Sequence, residues 1–464
     1  MKTVQLAIVG GGPAGLSAAV EAAQLGVSVI VLDENPRLGG QIYRQPASEF
    51  GISDEKKLGK QYRDGKKLLQ KVAAFQAEIT IWSNTLVWGY FGEKELAVIR
   101  NGRAEILKAD QIIIASGTYD RPLPFPGWTL PGVFGAGGVQ VLIKSQGVLP
   151  GTRFLLAGSG PLQLAVADQL LKAGAEIVAV VEATSTTRML RYLPRLLRQP
   201  TLVLDGIKYL AKLKLHGVPY IHSHAIIKTS GAEEVNQAVI AAIDKDWQPI
   251  AGTEKSFRVD AVCLGYGLVP NTDLTRLCRC VHHYDESLGG WIPEYNERME
   301  SSVPGIFVAG DGCGVRGVNM AIQEGRLAGI YAARNLVLID DATANRSANL
   351  VRAKLRGLQK FAGALSELYC LKSGIYVLAR NETVICRCEE VDLNRIRKAI
   401  GAGADNVDDI KRRTRAGMGY CQGRMCASSI LTIAQREAHS NPERLSYLKA
   451  RSPVKPIPLA AFLE

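Results

Sequence analysis

Four thiols gather near the end of the sequence, as Cys386-Arg-Cys388 and Cys421-x4-Cys426. Thiolates are the usual holders of iron–sulfur clusters, and four of them suffice for a [2Fe–2S] centre. Structural zinc competes with that reading, and four unligated thiols are the plainer alternative. Zinc sites usually separate paired ligands by two to four residues, which the single-residue gap of Cys386-Arg387-Cys388 fits poorly. Arg387 lies between the first two thiols, while Lys411, Arg412, Arg413, Arg415 and Arg424 crowd the second pair. Positive charge and N–H donors beside the sulfurs raise the potential of such an anionic centre. Gly417, Gly419 and Gly423 free the backbone to turn its N–H groups toward them. The other five cysteines (Cys263, Cys278, Cys280, Cys313 and Cys370) form no comparable set and read as ordinary thiols.

The opposite end carries a different chemistry. Gly10-x-Gly12-x-x-Gly15 stands between an apolar run, Val4–Val9, and a helical stretch from Pro13 to Leu25. A second apolar run, Val27–Leu32, ends in Asp33-Glu34. This is a βαβ unit in which Gly10 permits the turn, Gly12 admits a pyrophosphate and Gly15 lets helix pack on strand. Pro13 and Ala14 open the helix whose positive end would face that anion. Glu34, with Asp33 beside it, stands at the distance expected of an acid on a ribose hydroxyl. A dinucleotide at one end and four thiols at the other describe a chain that passes electrons.

A second unit of the same kind follows. The strand Phe154–Ala157 enters Gly158-x-Gly160-x-x-Gln163, then a helix, then the strand Ile177–Val181 ending in Glu182. Glutamine replaces the usual glycine or alanine at the third position, which alters helix packing and weakens the expectation of nicotinamide binding. Arg188 to Leu215 is basic, rich in leucine and broken by Pro194 and Pro200. It reads as a pair of amphipathic helices capping this domain, ahead of a partner surface.

Composition sets the frame. With 464 residues, 47% hydrophobic content and 47 glycines, the chain is a multidomain α/β protein. Its net charge of +12 comes without a nucleic-acid motif, so nucleic acid is not expected as a partner. Val4–Val9 runs straight into the glycine turn and is a strand, not a leader. No stretch approaches the ~20 apolar residues of a membrane-spanning helix. Nine cysteines without a disulfide framework suit a reducing cytoplasm. No Cys-x-x-Cys occurs, which excludes thiol–disulfide exchange through a resident pair. No catalytic triad or histidine metal set stands out, and catalytic residues stay unassigned.

Further segments carry a resemblance. Glu34-Asn-Pro-Arg-Leu-Gly39-Gly40-Gln41 resembles the segment after the second strand in flavoproteins of the glutathione reductase and thioredoxin reductase class. Ile306-Phe-Val-Ala-Gly310-Asp311 resembles the second flavin motif of that class, whose aspartate binds the ribityl and phosphate region of FAD. Ile112–Thr118, with Ala115, Ser116 and Gly117, looks like the strand and turn that close the FAD domain. The resemblance implies FAD, with Gly40 and Gln41 beside it. It also implies that a helix over Asn319–Ala333 points its start at the flavin, making Asn319 and Met320 neighbours of the ring. Asp260–Asn271 resembles the segment that returns the chain to the FAD domain.

Taken with Tyr420-Cys421-Gln-Gly-Arg-Met-Cys426, nearly the whole chain resembles the flavin-containing A-subunit of opine oxidases. Related chains occur in hydroxyproline and proline dehydrogenases and in hydrogen cyanide synthase. The end module is similar to the bacterioferritin-associated ferredoxin (BFD) type, a small helical [2Fe–2S] fold, which spaces its last pair Cys-x2-Cys where this chain has four intervening residues. The fold implied is an α/β flavoprotein with two dinucleotide-binding domains, of the glutathione or thioredoxin reductase kind, plus that BFD-like domain. Its boundaries fall at 1–120 with 285–340 (FAD), 121–284 (NAD(P)-like), 341–380 (helical linker) and 381–464 ([2Fe–2S] domain and tail). By the same resemblance Cys386, Cys388, Cys421 and Cys426 hold the cluster, and an amino-acid-oxidase-like flavoprotein subunit oxidises the substrate. The family leaves room for FMN at a subunit interface, for NAD(P) or ATP in the middle domain, and for a small additional ferredoxin-like subunit. The implied acceptor is a quinone or an electron-transfer protein, and the expected location is cytoplasmic or peripheral to the inner membrane. The expected function is electron transfer from that partner, acting on opines, proline, hydroxyproline or glycine. A self-sufficient NAD(P)H-dependent flavin and iron–sulfur oxidoreductase is the alternative, with a non-enzymatic scaffold behind both.

Overall fold

In the computed structural model, residues 2–46, 59–438 and 442–463 are described. They form two compact units. The first comprises Met1–Thr118, Pro270–Gly363 and Lys449–Glu464; the second comprises Tyr119–Val269 and Ala364–Leu448. The chain thus re-enters the first unit at Pro270, earlier than the 285 read from the sequence, and the cysteine module shares a unit with the middle segment.

In the first unit, Lys2–Val9 lies between Val29–Leu32 and Arg103–Ile114, all parallel. Ile79–Trp82 extends the sheet beyond Val29–Leu32, and Ile306–Val308 pairs with the end of Arg103–Ile114. These strands are near-continuous apolar runs because both of their faces are covered. Their registers matter most for function. Val9 is level with Leu32 and Ile114, and Ile114 with Val308. The residues that follow, Gly10, Asp33, Ala115 and Ala309, therefore leave the sheet together at its carboxyl edge, where open α/β sheets bind ligands.

The helices Pro13–Gln24 and Val318–Asn335 pack against each other beside this sheet. Their close approach depends on small residues: a Cβ on Gly325 would lie 2.0 Å from the Ala14 carbonyl oxygen, and one on Gly329 would lie 2.5 Å from that of Ala18. The tail returns to this unit, with Val454 N–H donating to the Trp88 carbonyl and Phe462 edge-on to the Trp88 ring.

The second unit is built on a five-stranded parallel sheet ordered Tyr220–His222, Glu176–Glu182, Arg153–Gly158, Ala261–Gly265, Val133–Gly135. Its cysteine module consists of a short ribbon, Val384–Cys386 with Val391–Asp392, and the helices Leu393–Gly401, Val407–Thr414 and Ala427–Ala438. Asp392 and Asn406 cap the first two helices by accepting from Arg395 N and Asp409 N, each at 2.8 Å. Ile396, Ile410 and Ile430 are buried, one from each helix. Trp128 Nε1 donates to the Val384 carbonyl at 2.6 Å, and Arg387 Nη2 to that of Thr129 at 3.3 Å, which fastens the cysteine ribbon to the nucleotide-type fold.

Candidate functional site

The glycine turn of the first unit is held by contacts that no other residue allows. Gly10 has φ +108°, and a Cβ there would lie 2.3 Å from the Ala115 carbonyl oxygen. A Cβ on Gly15 would lie 1.9 Å from the Gly10 carbonyl oxygen, so helix and turn touch through backbone alone. Over Gly12 the situation is the reverse. A Cβ there meets nothing nearer than Gly40 Cα at 3.7 Å, and no side chain caps the helix that Gly12 begins. The first-turn N–H groups of that helix are open to an anion, and Pro13 at its first position has no N–H to offer. The Gly39-Gly40 loop lies directly alongside, since a Cβ on Gly40 would come within 2.9 Å of Gly12 Cα. Gln41, exposed, accepts from Arg44 Nη2 at 3.3 Å.

The two acids after the second strand behave differently. Asp33 is buried and accepts from Gly11 N at 2.7 Å and Asn35 N at 2.8 Å, which fixes the turn. Glu34 stands half exposed and pairs with Lys455 of the tail. Opposite them, Ser116 Oγ donates to the Asn271 carbonyl at 2.6 Å, and a Cβ on Gly312 would touch Ser116 Oγ at 3.1 Å, so the Ala115–Gly117 turn abuts the Gly310–Gly312 turn.

Asp311 Oδ1 accepts from Arg316 N and Gly317 N, both at 2.9 Å, while Oδ2 has no donor among the described residues. Burial raises the Asp311 carboxyl, and those two N–H groups oppose the rise. The turn is anchored from below by Glu324, which accepts from Gly310 N at 3.0 Å and meets Arg316 at 3.2 Å. Motif reasoning misses Glu324; its signal is a lone acid on the inward face of an apolar helix. The helix begins at Val318, one residue before the expected Asn319. Asn319 is exposed at its start, whereas Met320 is 2% exposed and belongs to the apolar core.

In the second unit the four thiols meet. Cys426 interacts with Cys386, Cys421 and Cys388, and Cys421 with Cys388. A [2Fe–2S] centre takes four cysteines, two to each iron. Among the described residues no three His, Cys, Asp or Glu side chains form a group suited to one metal ion. The donor set of four thiols fits the two-iron group. The Cys386 thiol is brought down to about 6 by the Cys426 contact, against burial, with help from the N–H groups of Gly417, Glu389 and Cys388. Gly417 N lies 3.5 Å from Cys386 Sγ. Cys426 immediately precedes the helix Ala427–Ala438, its carbonyl accepting Ile430 N–H, so it sits at that helix's positive end. A Cβ on Gly419 would lie 2.4 Å from Cys388 Cβ, which makes this a close-approach glycine.

The expected crowd of free cations is corrected. Arg412 pairs with Asp409, Arg415 meets Glu389 at 2.9 Å, and Arg413 donates to the Ala402 carbonyl at 2.7 Å. Arg424 stays at the site, donating to the Cys421 carbonyl at 3.2 Å. Arg412 and Arg415 are therefore paired with neighbouring carboxylates, while Arg413 and Arg424 donate to carbonyls.

The second glycine turn is tied differently from the first. Register makes Gly158 the counterpart of Gly10, Gly160 of Gly12, Glu182 of Asp33 and Ala183 of Glu34. Gly160 N donates to Glu182 at 3.0 Å, and Thr184 N and Tyr220 Oη donate to the same carboxylate. Glu182 is fully buried and its carboxyl is raised by that burial. The Tyr369 ring lies beside Gly160, a Cβ there falling at ordinary contact distance, 3.6 Å from Tyr369 Cγ. Gln163 is 1% exposed and its amide has no partner among the described residues, a cost the turn carries with no visible return.

The comparisons agree with this geometry. The pyridine nucleotide-disulphide oxidoreductase family matches residues 4–325, and the BFD-like [2Fe-2S] binding domain matches residues 384–436. These two assignments imply FAD and a [2Fe–2S] cluster. Subunit HcnB of hydrogen cyanide synthase from Pseudomonas aeruginosa is 37% identical over 98% of this chain and 97% of its own length. The opine oxidase A-subunit from Rhizobium meliloti is 37% identical over 98% of this chain and 86% of its own. Among solved structures, L-proline dehydrogenase from P. horikoshii shares the fold with a TM-score of 0.71 at 22% identity, covering 100% of this chain and 80% of that one. Thioredoxin reductase from T. acidophilum aligns with 73% of this chain and 100% of its own at a TM-score of 0.53 and 21% identity. No described helix is long and apolar enough to cross a membrane. The chain is a flavin-dependent oxidoreductase of the pyridine nucleotide-disulphide oxidoreductase family with a BFD-like [2Fe–2S] domain, and it belongs with HcnB and the opine oxidase A-subunit.

Proposed function

We propose that this chain is the electron-transfer subunit of a hetero-oligomeric dehydrogenase or oxidase acting on amino acids or secondary amines of the opine, proline, hydroxyproline or glycine type. The tying of the second dinucleotide fold carries the reading: buried Glu182 takes the amide of the glycine that would face a pyrophosphate, and the Tyr369 ring lies beside that glycine. With that amide occupied, the reading is of a chain reduced by a partner protein and not by a nicotinamide. Relatives named as subunits of hydrogen cyanide synthase and opine oxidase support a substrate-oxidising partner. Bound FAD would handle electrons in pairs and the cluster one at a time.

The chain's own residues hold these groups. The first-turn N–H groups after Gly12 receive the pyrophosphate, Asp311 Oδ2 serves the flavin side, and Cys386, Cys388, Cys421 and Cys426 take the irons. Anaerobic mixing of the purified chain with NADH or NADPH is the test. The flavin should stay oxidised, and should bleach once an amino-acid-oxidase-like partner and its amine substrate are added. Rapid bleaching by either nicotinamide alone would replace this reading with the self-sufficient reductase.

A further inference from the structure

The sequence expects the helices Thr186–Leu196 and Pro200–Leu215 to cap the middle fold, yet the first buries no residue at all. It docks through its polar face. Arg188 donates to the Glu367 carbonyl at 2.6 Å, while Tyr192 and Arg195 donate to the Glu367 carboxylate. Leu190, Leu193 and Leu197, within about a 60° arc on the opposite face, are 62%, 39% and 53% exposed. Pro194 lies inside this helix without ending it. The second helix packs through Leu213 and through Lys212 on Asp168, and turns Leu204, Ile207 and Leu215 outward at 53%, 53% and 84% exposure. Each helix therefore shows solvent the stripe that an ordinary surface helix hides.

We infer that this helix pair is a bilayer-docking surface, inserting its leucines at the boundary of an anionic membrane while the flanking cations meet lipid headgroups. Residues 186–215 carry seven lysines and arginines against one acid, Asp205. Arg191, Arg198 and Lys214 have no carboxylate partner among the described residues. Apolar stripes bordered by Lys and Arg whose stems reach along the apolar surface are the pattern of helices lying in a membrane interface. A second copy of the chain fits poorly, because a symmetric contact would bring Arg191, Arg198 and Lys214 of each copy toward the same cations of the other. A protein partner fits less well too. The exposed side chains are aliphatic, whereas the anchors of protein interfaces are mostly Trp, Tyr and Arg.

Flotation of the cofactor-loaded full chain with vesicles tests this. The protein should float with phosphatidylcholine vesicles containing phosphatidylglycerol, float far less with phosphatidylcholine alone, and be released by salt. The double variants Leu190→Glu/Leu197→Glu and Leu204→Glu/Ile207→Glu, at exposed positions, should keep their flavin absorbance and lose the bound fraction by about tenfold or more. Leu197→Trp gives an independent readout, a blue shift of the introduced indole's emission on the anionic vesicles. Wild type that stays soluble with both vesicle types, Glu variants that float equally well, or an indole emission that does not shift would each overturn the inference. So would Glu variants that bind vesicles normally but no longer join the amine-oxidising partner, since the face would then be a protein interface.

Discussion

A glycine's role can be read from what a methyl group would strike. Gly10 and Gly15 are fixed by backbone a short distance away, whereas Gly12 faces space that no protein atom fills. Gly12→Val should therefore fold, because its branches enter the anion position and not the core, yet should weaken FAD binding by more than about 3 kcal/mol, over a hundredfold. Cofactor released on heating, measured against protein, checks this; a variant that retains a full complement would place the pyrophosphate elsewhere. The glycines are legible in the sequence because backbone close approach admits one residue type. The acids are not. Asp33 and Glu34 are adjacent and alike, and only the fold shows that Asp33 turns inward to Gly11 while Glu34 stays at the surface with Lys455. The arginines around the cysteines mislead for a related reason: a sequence gives their number and leaves out that Glu389 and Asp409 lie within reach.

Among elements, the packing of Pro13–Gln24 on Val318–Asn335 rests on Gly325 and Gly329 against Ala14 and Ala18. Gly325→Ala would drive a methyl group to 2.0 Å from a carbonyl oxygen and cannot be absorbed by a side-chain shift. It should cost about 3 kcal/mol, near the upper end for overpacking, and lower the melting temperature by several degrees. Gly363→Ala, in a helix with nothing within 4 Å, should instead stabilise by about 0.5–1 kcal/mol. Thermal melts of the two variants should move in opposite directions, and a shared direction would refute the packing account. The strands and helices of both nucleotide folds are foreseeable from apolar runs and glycine turns. Tyr369 is not, because only the fold brings a residue just beyond the helix Asp341–Leu368 to the side of a glycine far away in sequence. The outward stripes of residues 186–215 are equally hidden: periodicity reports that a helix is amphipathic, not which face it turns to solvent.

On the scale of the whole molecule, each compact unit holds one of the two candidate redox sites, the glycine turns and Asp311 in the first and the four cysteines in the second. The cysteine module has its own buried core, with Ile396, Ile410 and Ile430 in it, and none of the residues that would hold FAD belongs to it. The two occupancies should therefore be separable by mutation. Cys386→Ser, Cys388→Ser, Cys421→Ser or Cys426→Ser should each remove the rhombic electron paramagnetic resonance signal of the dithionite-reduced protein while FAD stays stoichiometric. Gly12→Val should do the reverse, losing FAD and keeping about two irons per chain, the content of a [2Fe–2S] centre. Cys370→Ser, outside the set of four, should leave both intact. Zinc in place of iron in anaerobically prepared protein would contradict the two-metal reading of these thiols. Loss of FAD in a cysteine variant would contradict the independence of the units.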